Sequence, residues 1–354
     1  MLDFFMIAEK PPTKQGIEIY PKFIIRGDSA DLMVKGRDFY AVWNEKTNLW
    51  SMREDDVKRQ IDEALTERKK EIEAVSSVPV NVKYMWDADS GSMERFHKYV
   101  QRHMRDCFHP LDERIIFSNQ ETTKDDYASK KLPYPLEEGS IESYEELIST
   151  LYDKDERDKL EWAIGAIISG DAKEIQKFIV LYGSAGSGKS TVLNIIQMLF
   201  DGYYSLFNAK QLTSNSEFAL ESFKNNPLVS IQHDGDLSRI EDNTRLNSIV
   251  SHEMMEINEK YKGLYAAKFN TFLFMGTNKP VKITEAKSGL IRRLIDVTPS
   301  GRKIPFRRYQ DLMGKIKFEL GGIAWHCLSR YKEMGDTYYD DYITKDMISA
   351  TNDF

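Results

Sequence analysis

Cysteine is almost absent: two in 354 residues, Cys107 and Cys327, 220 positions apart. This excludes a disulfide framework and a cysteine-ligated zinc ribbon, and it fits a reducing, cytoplasmic compartment. No apolar run approaches the roughly 18 residues a membrane helix needs, so no membrane partner is expected. The start, Met1-Leu2-Asp3-Phe4-Phe5-Met6, is short and has no basic residue ahead of its apolar part, unlike a secretory signal. Internal repeats and low-complexity segments are missing too. His97, His103 and His109 are six apart, whereas metal ligands on one helix face need three or four, so they read as ordinary histidines. The net charge of −7 argues against a nucleic-acid coat protein. A local basic surface is still open, because salt screens charge beyond about 10 Å.

What is present is ordinary globular composition, at a length that implies two domains or three. Residues 38–43 and 49–50 are aromatic and β-branched around a polar turn, a β-hairpin pattern. Ser51 stands three residues before Glu54, and Ser143 three before Glu146, the spacing of two capping boxes. Val57, Ile61, Ala64, Leu65 and Ile72 recur at helical spacing. From Lys177 onward, short apolar runs at 178–182, 228–231 and 271–275 alternate with helical patterns. That alternation predicts an α/β fold with a parallel sheet. The expected organisation is an N-terminal α+β accessory or docking domain (1–120), a linker (121–140), a helical collar (141–175), a P-loop ATPase core (176–305) and a C-terminal helical segment (306–354). The chain stops at Asp353-Phe354 without an end signal, which reads as a further module to follow.

Gly183-Ser184-Ala185-Gly186-Ser187-Gly188-Lys189-Ser190, followed by Thr191, matches the Walker A pattern. An apolar strand leads in and a helical pattern leads out. Glycines let backbone N–H groups curl around phosphate, and a helix start adds partial positive charge. Lys189 is expected to reach the β- and γ-phosphates of ATP, and Ser190 to ligate Mg²⁺. Hydrolysis also needs an acid at a neighbouring strand end. Asp234 and Asp236 supply two, 45 and 47 residues after Lys189. Asp234 is assigned to Mg²⁺ and Asp236 to the attacking water, with the roles open to exchange. The strand 271–275 runs into Gly276-Thr277-Asn278, where the amide of Asn278 suits a γ-phosphate or water contact. Arg292 and Arg293, flanked by apolar residues, fit a finger that stabilises phosphoryl charge, without a choice between them. From Lys260 to Arg293 there are eight basic residues and one acid. Lys260 and Lys262, interleaved with Tyr261 and Tyr265 around Gly263, read as a hairpin tip for a DNA backbone.

This order of motifs resembles the superfamily 3 helicases of viruses, phages and plasmids, above all the ATPase half of phage and plasmid primase-helicases. The resemblance covers about residues 140–335. It implies an AAA+-like core, a hexameric ring, ATP-driven movement on single-stranded DNA, and a bacterial host cytoplasm. Carried over, Lys189 and Ser190 match Walker A, Asp234 and Asp236 Walker B, Asn278 the sensor, Arg292/Arg293 the finger region, and Lys260 or Lys262 the DNA hairpin. Two departures stand out: a glycine separates the two acids, and Ser251-His252-Glu253 replaces the Gly-Asp pair of many members. The expected function is an ATP-dependent helicase or translocase in phage or mobile-element replication, alongside a primase or other replication proteins. The alternative is a nucleotide-switched loader or scaffold without unwinding activity. Asp87 and Asp89 have the spacing of a two-metal polymerase pair, but Ser-Gly-Ser follows at once and a polar turn is expected.

Overall fold

The computed structural model describes residues 2–212, 220–236, 243–257, 265–279 and 289–344. The chain forms two compact units, Met1–Asp112 with Glu121–Lys130, and Glu113–Gln120 with Lys131–Phe354. The stretch 121–140 therefore divides between them. Its first part is tied into the first unit: Thr122 Oγ1 donates to Asn48 O at 2.6 Å, and Trp50 N donates to Ala128 O at 2.8 Å. Within it a short 3-10 turn, Lys124–Asp126, is capped by Thr123, whose N and hydroxyl both donate to the Asp126 carboxylate.

In the first unit the order is β1 (Phe5–Glu9), β2 (Ile17–Phe23), β3 (Leu32–Lys35), β4 (Asp38–Asn44), β5 (Leu49–Ser51), α1 (Glu54–Val75), β6 (Val80–Val82) and α2 (Ser92–His103). Two three-stranded sheets result, β1-β2-β6 and β3-β4-β5. The expected hairpin is β4–β5, with Trp43 opposite Trp50 and their rings 5.6 Å apart. One stripe of α1, Val57, Ile61, Leu65 and Ile72, is buried in a core with Phe4, Val42 and Phe96. The capping box does not form there. α1 starts at Glu54 with Arg53 as its cap residue, so Ser51 lies outside the helix and its hydroxyl bonds the Asp56 carboxylate.

The second unit continues with α3 (Glu142–Leu151), α4 (Lys154–Ser169), β7 (Phe178–Tyr182), α5 (Lys189–Leu199), β8 (Tyr204–Leu206), α6 (Ala209–Leu212) and β9 (Val229–Gln232). Then come α7 (Thr244–Val250), β10 (Met254–Ile257), β11 (Tyr265–Lys268), β12 (Phe272–Thr277), β13 (Leu294–Val297), α8 (Phe306–Ile316) and α9 (Leu320–Met334). Five strands form one parallel sheet in the order β13-β7-β12-β9-β8, as the apolar runs predict. Both faces of this sheet are covered, and side chains alternate between them with period two. Ile179, Leu181, Ile231, Phe272 and Phe274 join the cluster that includes α4, α5 and α9. Phe178, Val180, Leu273, Met275 and Leu294 join a second one with Leu212, Leu246 and Ile249. β7 connects toward the β8 edge and β12 toward the β13 edge. The adjacent strands β7 and β12 thus mark a reversal in strand order, where open parallel sheets form a crevice at their carboxyl ends.

The second half of α4, from Lys159 to Ile167, is buried on every side, while its charged first turn faces outward. Gly165 lets α9 approach so closely that a Cβ there would stand 2.2 Å from Cys327 O. The second capping box also fails to form. The Glu319 carboxylate accepts from Ser143 N at 3.0 Å and Tyr144 N at 2.9 Å, so the first turn of α3 is capped from the start of α9.

Candidate functional site

The loop 183–188 joins the carboxyl end of β7 to the start of α5. Its glycines are needed for shape. Gly186 and Gly188 have φ of +73° and +103°, a region that L side chains avoid. A Cβ on Gly188 would also stand 3.1 Å from both methyls of Leu151. Gly183 N donates to Thr277 O at 3.2 Å, which fixes the loop beside the end of β12. The Lys189 ammonium donates back to Gly183 O at 2.7 Å and Ser184 O at 2.8 Å. Burial lowers the Lys189 pKa, and the negative charge of Asp234 opposes that shift. Ser187 Oγ is buried with no hydrogen-bond partner. The loop thus offers a left-handed backbone cradle, an orphaned hydroxyl and a cation to an anionic ligand at a helix start.

Asp234 and Asp236 follow β9. Both are exposed and they differ in the cation each one faces. Asp234 is the acid that acts electrostatically on Lys189, whereas Asp236 forms an ion pair with Lys279. Gly235 between them is buried against β12. Its N donates to Gly276 O at 2.7 Å, and a Cβ there would meet Met275 Sδ at 2.4 Å. The intervening glycine is therefore a packing requirement of the β9–β12 junction. Asn278 is exposed directly after β12. Its turn is held by Thr277, whose hydroxyl accepts from Lys279 N at 3.1 Å and donates to Lys279 O at 3.2 Å. Lys189, Ser190, Asp234 and Asn278 thus gather at the carboxyl ends of the neighbouring strands β7, β9 and β12.

The two arginines lie elsewhere. They precede β13, whose first residue Leu294 pairs with Phe178 at the amino end of β7. The glycine loop is at the other end of β7, about 13 Å away along the strand at 3.3 Å per residue. Arg293 is buried, with Nε donating to Ser251 Oγ and Nη1 to Gly289 O, both at 2.8 Å. Burial pulls its pKa down, as does the charge of Arg292. Ser251, which stands where a Gly-Asp pair was the comparison, is thereby the anchor of Arg293. His252 lies between Phe269 O at 2.9 Å and Ile175 O at 3.1 Å. Arg292 is exposed. Lys260 and Lys262 lie outside the described residues, in sequence between the antiparallel strands β10 and β11.

Five residues that the motif pattern missed line a cavity of about 260 Å³ beside the start of α5: Leu151, Arg302, Lys303, Ile304 and Tyr309. Arg302 also caps the end of α3, donating to Thr150 O at 3.0 Å and Ser149 O at 3.1 Å. The one signal for it was the basic pair Arg302-Lys303 after Gly301. In the first unit, Asp87 caps a short turn by accepting from Asp89 N at 3.0 Å, the polar-turn reading. No group of three or more acids, histidines or cysteines is placed to hold a metal among the described residues. No helix among them is long and apolar enough to cross a membrane.

A model of a family of unknown function (DUF5906) matches residues 181–293, from the strand before the glycine loop to the arginine pair. None of the curated proteins matches. Among solved structures, the chain is similar to the apo structure of the NrS-1 C-terminal region (305–718), with a TM-score of 0.50 and 12% identity over 89% of this chain and 72% of that one. The A form apo structure of the NrS-1 C-terminal region gives a TM-score of 0.47 and 15% identity, over 69% of this chain and 60% of that one. The A form of the 305–718 region gives 0.45 and 15%, over 62% and 52%. The chain thus spans between half and two thirds of the length of these last two. At such identities the likeness is one of fold.

Proposed function

We propose that this chain is an ATP-dependent DNA helicase or translocase of phage or mobile-element replication, built on an AAA+-like P-loop core that works as a ring. The observation that carries this reading is the meeting of Lys189, Ser190, Asp234 and Asn278 at the ends of three neighbouring parallel strands. In this reading the loop amides and Lys189 bind the β- and γ-phosphates. The apolar wall of Leu151, Ile304 and Tyr309 receives the base. Ser190 and Asp234 would hold Mg²⁺. When bound, Mg²⁺ neutralises charge on the transferring phosphoryl group. Asn278 orients the attacking water, and the Asp236–Lys279 pair steadies its turn.

Arg292 and the loop stand at opposite ends of the sheet, so Arg292 is assigned to the nucleotide of a neighbouring copy. That requires a homo-oligomer, for which a hexamer is the family's form. Lys260 and Lys262 are assigned to single-stranded DNA. The test is steady-state ATP hydrolysis by the purified chain at low salt, with and without single-stranded DNA. Hydrolysis stimulated by DNA is expected, and Lys189→Ala is expected to abolish it. Hydrolysis indifferent to DNA favours the loader or scaffold alternative. No hydrolysis under either condition overturns both.

A further inference from the structure

The first unit carries a surface that the ATPase reading leaves unused. β3 and β4 are joined by a two-residue turn, Gly36-Arg37, with Lys35 paired to Asp38 across it. Both turn residues have positive φ, +63° and +79°. That is the geometry of a type I′ hairpin, whose central positions favour asparagine, aspartate or glycine. Arginine in this position carries the cost of a left-handed backbone. The turn itself does not explain it, so the explanation lies in the guanidinium.

A second segment brings more cations to the same place. Val34 N donates to Cys107 O at 2.9 Å and Cys107 N to Val34 O at 2.8 Å, while Gly36 N donates to Asp106 Oδ1 at 3.0 Å. Gly27 N donates to His103 O at 2.8 Å. Arg105 lies across Gly27, its Nε 3.8 Å from where a Cβ would stand. Lys35, Arg37 and Arg105 thus share one strip, flanked by Arg26 and Arg102. All five are exposed, and none has an ion-pair partner among the described residues. Elsewhere on the unit, Lys10, Lys46, Lys58, Arg59, Arg68 and Lys98 each hold a carboxylate. The acids along the strip are Asp28, Asp38 and Asp106, fewer than its cations, and Asp106 is engaged by Gly36 N. Beside Lys35 stands Phe108, 40% exposed, with its ring 5.3 Å from Tyr40 and the Lys35 ammonium 4.7 Å from its centroid.

Unpaired cations along a strip call for a polyanion. An exposed ring among them has a face for an unpaired base, which neither a duplex nor an acidic peptide presents. We propose that the β3–β4 hairpin tip and segment 102–108 form a contact site for single-stranded nucleic acid, independent of sequence. Lys35, Arg37 and Arg105 meet phosphates, and Phe108 stacks a base. The proposal does not depend on the ATPase reading.

The test is fluorescence anisotropy of a labelled oligodeoxythymidine of about 20 nucleotides on the full chain, titrated with salt. Arg37→Gly is the sharpest single variant. It relieves the left-handed arginine, so the Tm is expected to hold or rise while affinity falls severalfold. Lys35→Ala with Arg37→Gly and Arg105→Ala is expected to weaken binding more than tenfold. Its log–log salt slope is expected to drop by about 2, at about 0.7 per lost phosphate contact. Phe108→Ala is expected to weaken binding about tenfold without changing that slope. Unchanged affinity and slope in the triple variant overturn the site. Competition by polyglutamate as strong as by oligodeoxythymidine, with Phe108→Ala silent, also overturns it and marks an acidic protein surface instead.

Discussion

The two ends of the five-stranded sheet differ in what they present. At the carboxyl end, glycines and strand termini present backbone donors, Lys189, the Asp236–Lys279 pair and exposed polar side chains around open space. At the amino end, before β13, two consecutive arginines are divided between solvent and core. The spacing along β7 keeps the two ends apart within one copy. A chemistry that uses both ends must therefore join two copies, while a chemistry confined to one end has no use for Arg292.

The largest expected effect tests the carboxyl end. Lys189→Ala removes the cation at the loop and is expected to lower ATP hydrolysis by at least about a hundredfold, read as phosphate release, with thermal unfolding unchanged. Arg292→Ala comes next. As a finger in trans it is expected to lower kcat by about a thousandfold while nucleotide still binds. The decisive measurement is mixing. Lys189→Ala and Arg292→Ala, each inactive alone, are expected to regain hydrolysis together, because some interfaces then pair an intact loop with an intact arginine. A mixture as inactive as its parts would break the comparison between the two ends.

Arg293→Ala is expected to act on stability. It deletes a buried guanidinium and leaves Ser251 and Gly289 without their donor, a loss of about 2–4 kcal/mol. Chemical denaturation measures it. Arg293→Met, which keeps the volume, is expected to cost less. A loss of hydrolysis in Arg293→Ala at full stability would transfer the finger role to Arg293.

Local signals made much of this readable from the chain. Glycine spacing, an apolar run before it and a helical run after it announced β7, the loop and α5. Period-two burial on both sheet faces made the strands continuous apolar runs, which is the signature of a covered parallel sheet. What the chain could not announce depends on neighbours far away in sequence. Glu319 caps a helix start more than 170 residues before it, so the Ser143–Glu146 pattern had the right residues at the wrong position. Arg292 and Arg293 look alike until Ser251 is seen beside one of them. Leu151, Ile304 and Tyr309 carry no motif, because an apolar wall is made by convergence of α3, α8 and the loop before it.

The smallest effect concerns why the acids after β9 are split by a glycine. Gly235→Ala brings a Cβ to 2.4 Å from Met275 Sδ. That sulfur ends a flexible side chain, so part of the clash relaxes, and a cost of about 1–2 kcal/mol is expected. A double-mutant cycle isolates the contact. Met275→Ala is itself destabilising, but in its background Gly235→Ala is expected to cost about 1 kcal/mol less. If the costs simply add, the glycine is required by something other than packing on β12. If they couple, the Asp-Gly-Asp sequence is the form two acids take where the end of β9 presses against Met275. The carboxyl end of the sheet is then as tightly specified by its packing as the amino end is by Arg293.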